Sequence, residues 1–125
     1  MSVVHLPATA SIDEIHEVLH RDAALIIDDL AGGEQIDAII AEMSPHIEAT
    51  PSGSDDFSGR NTKRTGALIA RSPSSHGLIQ HPTILGVAEK LLHRAQSFQL
   101  HLTRGSSIGA GSPGQSIRRV QWAFD

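Results

Sequence analysis

No cysteine occurs in the 125 residues, which excludes a disulfide framework, a thiolate metal site and a cysteine nucleophile. Tyrosine is also missing and aromatic residues make up only 3%. Any core must therefore rest on Ile, Leu, Val and Ala, and there is little material for stacking the bases of single-stranded nucleic acid. No apolar run approaches the roughly 20 residues of a membrane helix. The opening "MSVVHLPATA" has neither the basic start nor the apolar stretch of a signal peptide. The expectation is an intracellular, cytoplasmic protein with no membrane partner. With 39% hydrophobic residues and a mean hydropathy of −0.12, the composition fits one globular domain with a modest core.

The net charge of −4 conceals a division: Met1 to Asp56 holds twelve acids and one base, Phe57 to Asp125 two acids and nine bases. Such asymmetry marks either the solvated faces of one folded domain or an anionic partner for the basic half. The bases are scattered through "GRNTKR", Arg71, "EKLLHR" and "IRR" instead of lining a helix. A nucleic-acid partner is therefore not expected, while a site for small carboxylates stays open.

Ser11 and Glu14 form a capping-box pair, and Ile12, Ile15 and Leu19 follow at helical spacing, predicting a short first helix. "ALIID" reads as a buried strand. From Glu34, the residues Ile36, Ile39, Ile40, Met43 and Ile47 form one helical stripe, predicted to pack on that strand and to bend or end at Pro45. Thr50 to Gly66 is polar and reads as a loop, the best candidate for mobility, and "ALIA" as a short strand. Pro82 can open another helix whose buried face is Ile84, Leu85, Ala88, Leu91 and Leu92. In "SFQLHLTR", Phe98, Leu100 and Leu102 alternate with polar residues as in a half-buried strand, "GAGSPGQS" is a connector, and "IRRVQWAF" resumes strand character. Neither an internal repeat nor an interdomain linker is found.

"HEVLH", His16 to His20, matches the zincin pattern of two histidines one helical turn apart with a glutamate between them. The sequence following it supplies no third ligand at a recognised spacing, so exposed histidines on an amphipathic helix are the expectation.

"GALIARSP", "HPTILGVAEKLL", "FQLHLTR" and "QWAFD", in this order and at these separations, resemble the phytanoyl-CoA dioxygenase family of Fe(II)- and 2-oxoglutarate-dependent oxygenases. The "ALIIDDL" strand followed by the "EQIDAIIAEM" helix resembles that family's opening, so the likeness covers nearly the whole chain. It implies an α+β fold: N-terminal helices followed by the first strands of a double-stranded β-helix, a cupin-like jelly roll. Residues 1–125 then form a single partial domain.

The resemblance implies an iron held by a His-x-Asp pair and a distant histidine, a triad that leaves positions open for 2-oxoglutarate and oxygen. At the positions of the pair this chain has Arg118 and Val120, with Arg119 between them. A guanidinium stays protonated and valine has no donor atom. The distal histidine would lie beyond Asp125. Intact relatives would use Fe(II) and 2-oxoglutarate to hydroxylate a small organic substrate, whereas no cofactor is expected here and the chain is read as truncated and inactive. The likeness also places Gln99 where a family glutamine faces the cofactor cavity, and Arg71 and Ser72 near the substrate entrance. A solvent-facing strand position for Gln99 and a turn or capping role for "RSP" stand beside those readings. A jelly roll cut midway exposes strand edges and apolar surface, so the chain should be marginal as a monomer or form a homo-oligomer through those edges; the alternative function is a non-catalytic binding or oligomerising module on the same scaffold.

Overall fold

Two parallel strands open the fold, β1 (Val4–Pro7) and β2 (Leu25–Asp28), with Val4 opposite Leu25 and Leu6 opposite Ile27. The computed structural model describes residues 2–56 and 58–114. Parallel neighbours need a crossover, and α1 (Ile12–Asp22) provides it. Ser11 starts α1 because its side-chain oxygen accepts the Glu14 N–H at 3.2 Å. Asp13 and Glu14 in the first turn, with His20 and Arg21 in the last, complement the helix dipole. Ala23 ends α1 in the left-handed region, φ 61°, its N–H bonded to the Leu19 carbonyl.

Ile15 and Val18 of α1 meet Leu6 of β1 and Val87 of α5 (Pro82–Leu91), and these four make the main core. Pro82 sits in the first turn of α5, where its missing N–H costs nothing, and the His81 ring accepts the Thr83 N–H at 3.3 Å. The helices pack closely at Gly86, where a β-carbon would collide with the tip of Ile12. Each fully buried aliphatic side chain contributes about 1.5–3 kcal/mol, so four such residues make a small core for this length.

The second group of elements is built on α2 (Gly33–Ala49). It packs against an antiparallel pair, β3 (Thr62–Gly66) with β4 (Arg104–Ile108), in which Thr62 faces Ile108 and Gly66 faces Arg104. It also packs against α3 (Leu68–Arg71) and the 3-10 turn Pro73–Ser75, which α4 (His76–Ile79) follows. Met43 is the buried anchor of α2. The C-terminal end of α2 is tied to β3 by Lys63, whose ammonium donates to the Ile47 and Glu48 carbonyls at 3.2 and 3.1 Å. A Thr50–Thr65 hydroxyl bond of 2.9 Å completes this joint. The substantial packing therefore falls into two groups: β1, α1, β2 and α5 in one, the remaining elements in the other.

Mixed helix and strand with two small sheets is consistent with the α+β expectation. The first helix, the strand at 25–28 and the helices from 33 and 82 are where periodicity put them. Other expectations change. α2 packs on the β3–β4 pair rather than on β2, leaving Ile36 and Ile40 exposed and Ile39 half-buried. Pro45 does not end α2, which continues for four further residues. β2 is half-buried, with Ile26 facing out. The end of the supposed loop, Thr62–Gly66, is a strand because it has a partner in β4, and "ALIA" turns into helix. On α5 the buried residue is Val87, while Ile84, Leu85 and Leu91 are exposed, as is Leu92 just after it. Residues 97–103 belong to no strand, and the strand lies one step later, at 104–108. "IRRVQWAF" lies outside the described residues.

Candidate functional site

The one acid of α2 that reaches into the packed polar interior is Glu42. Its carboxylate accepts the Ser72 hydroxyl at 2.5 Å, the Ser74 hydroxyl at 2.8 Å and the Ser74 N–H at 3.2 Å. Ser72 is 0% exposed and Ser75 1%, and the Ser75 hydroxyl donates back to the Ser72 carbonyl at 2.7 Å. Three donors stabilise the charged form, and the Ser72 hydroxyl chiefly holds the Glu42 carboxyl below its ordinary pKa. The Ser74 donors and nearby His76 add to this against partial desolvation. The arrangement fastens α2 to the turn after α3. Glu42 was hidden in the sequence because it lies beside the apolar stripe; the signal for it was the serine cluster of "RSPSS", since buried hydroxyls need an acceptor.

The likeness-derived residues separate. Arg71 is exposed and its guanidinium donates to the Gly66 carbonyl at 3.1 Å, closing the loop between β3 and α3. Ser72, its neighbour, has no exposed surface and is committed to Glu42. Gln99 lies in the exposed stretch 97–102, flanked by Phe98 and Leu100, themselves 45% and 56% exposed, so alternation selects no inward side for it. The stretch is pinned at its end to α3, where Thr103 accepts the Ile69 N–H through its hydroxyl at 3.1 Å. Arg118 and Val120 lie outside the described residues.

Lys63, Arg64 and Arg71 are spent on backbone carbonyls, Arg60 on Asp56 and the Ser54 carbonyl, and Lys90 on Asp13. Lys63, Arg60 and Lys90 thus tie the basic half to the acidic half and Arg64 and Arg71 close loops within it, so these five residues offer no ready clamp for a small carboxylate. His16 and His20 lie with ring centroids 6.3 Å apart on α1. Among the described residues no three His, Cys, Asp or Glu side chains gather to hold a metal ion. Among the same residues no helix is long and apolar enough to cross a membrane.

An apolar groove of about 450 Å³ lies between α1, β2 and α5. Leu19, Leu25, Ile27, Ile84, Ala88 and Leu91 are among its walls, and no charged side chain lines it. Apolar walls of this kind bind by shape and burial; they supply no acid, base or nucleophile.

No family model matches the chain. It is, however, 30% identical to dioxygenase swnH2 of Arthroderma benhamiae over 98% of its own length, and 26% identical to dioxygenase FrzG of a Cladobotryum species over 96%. It is also 29% identical to dioxygenase olcK of Penicillium canescens over 89%. These matches take in 44%, 44% and 40% of the respective relatives, so the chain spans less than half the length of the curated relatives it matches. Along nearly all of its length the chain is similar to these dioxygenases.

Proposed function

We propose that the chain is part of a phytanoyl-CoA dioxygenase-like domain, related to the 2-oxoglutarate-dependent oxygenases that hydroxylate small organic substrates, and that it is inactive by itself. The similarity to dioxygenases over 98% of the chain carries this reading. The ordered segments "GALIARSP", "HPTILGVAEKLL" and "FQLHLTR" give it its finer form. On this reading residues 1–125 supply the helices that flank a double-stranded β-helix together with its first strands.

The donor set does not fit the iron of that chemistry. Arg118 and Val120 stand where a histidine and an aspartate would bind, and neither side chain can donate a lone pair to ferrous iron. Among the described residues no other group of three donors replaces them. No step of turnover is therefore assigned to residues of this chain, and its contribution is to shape and support.

Succinate release from 2-oxoglutarate tests the reading in three proteins: the wild-type chain, Arg118→His with Val120→Asp, and that double variant extended by the remaining part of a dioxygenase relative. Turnover is expected only from the third. Turnover by the wild-type chain overturns the placement of the ligand positions, and a folded but silent extended variant overturns the family reading.

A further inference from the structure

The fold puts most of its histidine rings to structural use. His5, His76, His81 and His93 each commit a ring nitrogen to a hydrogen bond, with the Asp28 carboxylate, the Ile69 carbonyl, the Thr83 N–H and the Lys90 carbonyl respectively. His16 and His20 differ. Among the described residues their rings make no hydrogen bond or ion pair, and they lie side by side on α1 with centroids 6.3 Å apart and planes tilted by 34°. His16 is half-buried and His20 exposed. Residues one helical turn apart share a face, so two free imidazoles are presented together.

We propose that His16 and His20 form a two-imidazole chelate for a divalent transition-metal ion of the zinc, copper and nickel class, whose members imidazole nitrogen binds well. Nitrogen-to-metal bonds of about 2.0–2.1 Å bring the two ring centres to about 5 Å. Rotation of the side chains supplies that short approach, because no hydrogen bond holds either ring. Charge favours the ion as well. α1 carries four acids, Asp13, Glu14, Glu17 and Asp22, against the one base Arg21, which makes the field around the rings attractive to a cation. His20 also stands in the last turn, at the negative end of the helix dipole. A zincin centre needs a third protein ligand, and none is near among the described residues. Water or a small ligand completes the coordination instead, so the ion exchanges readily and is stripped by dialysis. The inference is independent of the dioxygenase reading.

Nickel(II) nitrilotriacetate is the probe, because its chelator leaves two adjacent positions on the ion open, which a pair of imidazoles fills and a lone one does not. Calorimetric titration of the full 125-residue chain is expected to give one complex bound per chain. The thermal midpoint should rise with added probe, since only the folded helix holds both rings at this spacing. His16→Ala and His20→Ala should each weaken binding about tenfold or more, as the second imidazole no longer binds intramolecularly. His46→Ala, on α2 and outside the pair, should leave the affinity unchanged. Alanine favours helix, so both α1 variants should keep the wild-type circular dichroism. No binding by the folded wild-type chain, unchanged affinity in either α1 variant, an equal loss in His46→Ala, or one complex shared between two chains overturns the proposal.

Discussion

Removing Glu42 should damage the fold more than removing Ser72, although the two share one hydrogen bond. In Glu42→Ala the hydroxyl of Ser72, 0% exposed, loses its acceptor. A buried polar group left without a partner costs about 1–3 kcal/mol. In Ser72→Ala the donor leaves with its bond, and the half-buried carboxylate keeps both Ser74 donors. That loss is the smaller one, because only one of the three bonds to the carboxylate goes, whereas Glu42→Ala removes all three. Urea unfolding followed by circular dichroism measures both; with a slope of about 1–2 kcal/mol per M, the Glu42→Ala midpoint falls by on the order of 1 M. The double variant should cost less than the sum of the singles, since removing the hydroxyl also removes the stranded donor. The sign with pH follows from the lowered Glu42 pKa. Stability from this carboxylate is fully present above its ordinary, unfolded pKa and is lost as pH falls through the lowered, folded one. The advantage of the wild type over Glu42→Gln should therefore be constant near neutrality and shrink in acid. Ser72→Ala proving as costly as Glu42→Ala, or an advantage that grows in acid, would mean that the charged Glu42 does not hold this joint together.

Two glycines should respond differently to alanine. At Gly53 the new β-carbon would stand 2.6 Å from the Gly59 carbonyl oxygen and 2.7 Å from the Ser58 carbonyl carbon, both backbone atoms. Gly53→Ala should cost about 1–3 kcal/mol, as overpacking does. At Gly86 the obstacle is the tip of the Ile12 side chain, 37% exposed and free to swing outward, and alanine improves helix propensity by up to about 1 kcal/mol. Gly86→Ala should therefore be nearly neutral, and thermal melts of the two variants check the order. His16 and His20 gain no third ligand among the described residues, so no stoichiometric zinc is expected after dialysis. One zinc per chain, lost on His20→Ala, would reverse that view.

Local signals were legible where a helix carries its own start. Ser11 with Glu14, and Pro82 at a first turn, each satisfy or excuse the free N–H groups that begin a helix, so α1 and α5 are readable from neighbouring residues alone. β3 was not readable. Thr62–Gly66 has no apolar alternation, and it is a strand because Arg104–Ile108, some forty positions later, lies beside it. Pro45 misled in the opposite direction, because it falls near the end of α2, where the helix continues only four residues beyond it. For the site, the likeness brought Ser72 forward, but its carboxylate partner came from thirty residues upstream and only the packing revealed it.

The misread faces have a common cause. Phe98, Leu100 and Leu102 alternate as a half-buried strand should, and Ile84, Leu85 and Leu91 recur as an inward helical face should, yet all six are exposed. Periodicity reports that a face is suited to burial; it does not report that the covering surface belongs to the same chain. Val87 is covered because α1 packs over it, and the apolar residues around it face a groove instead.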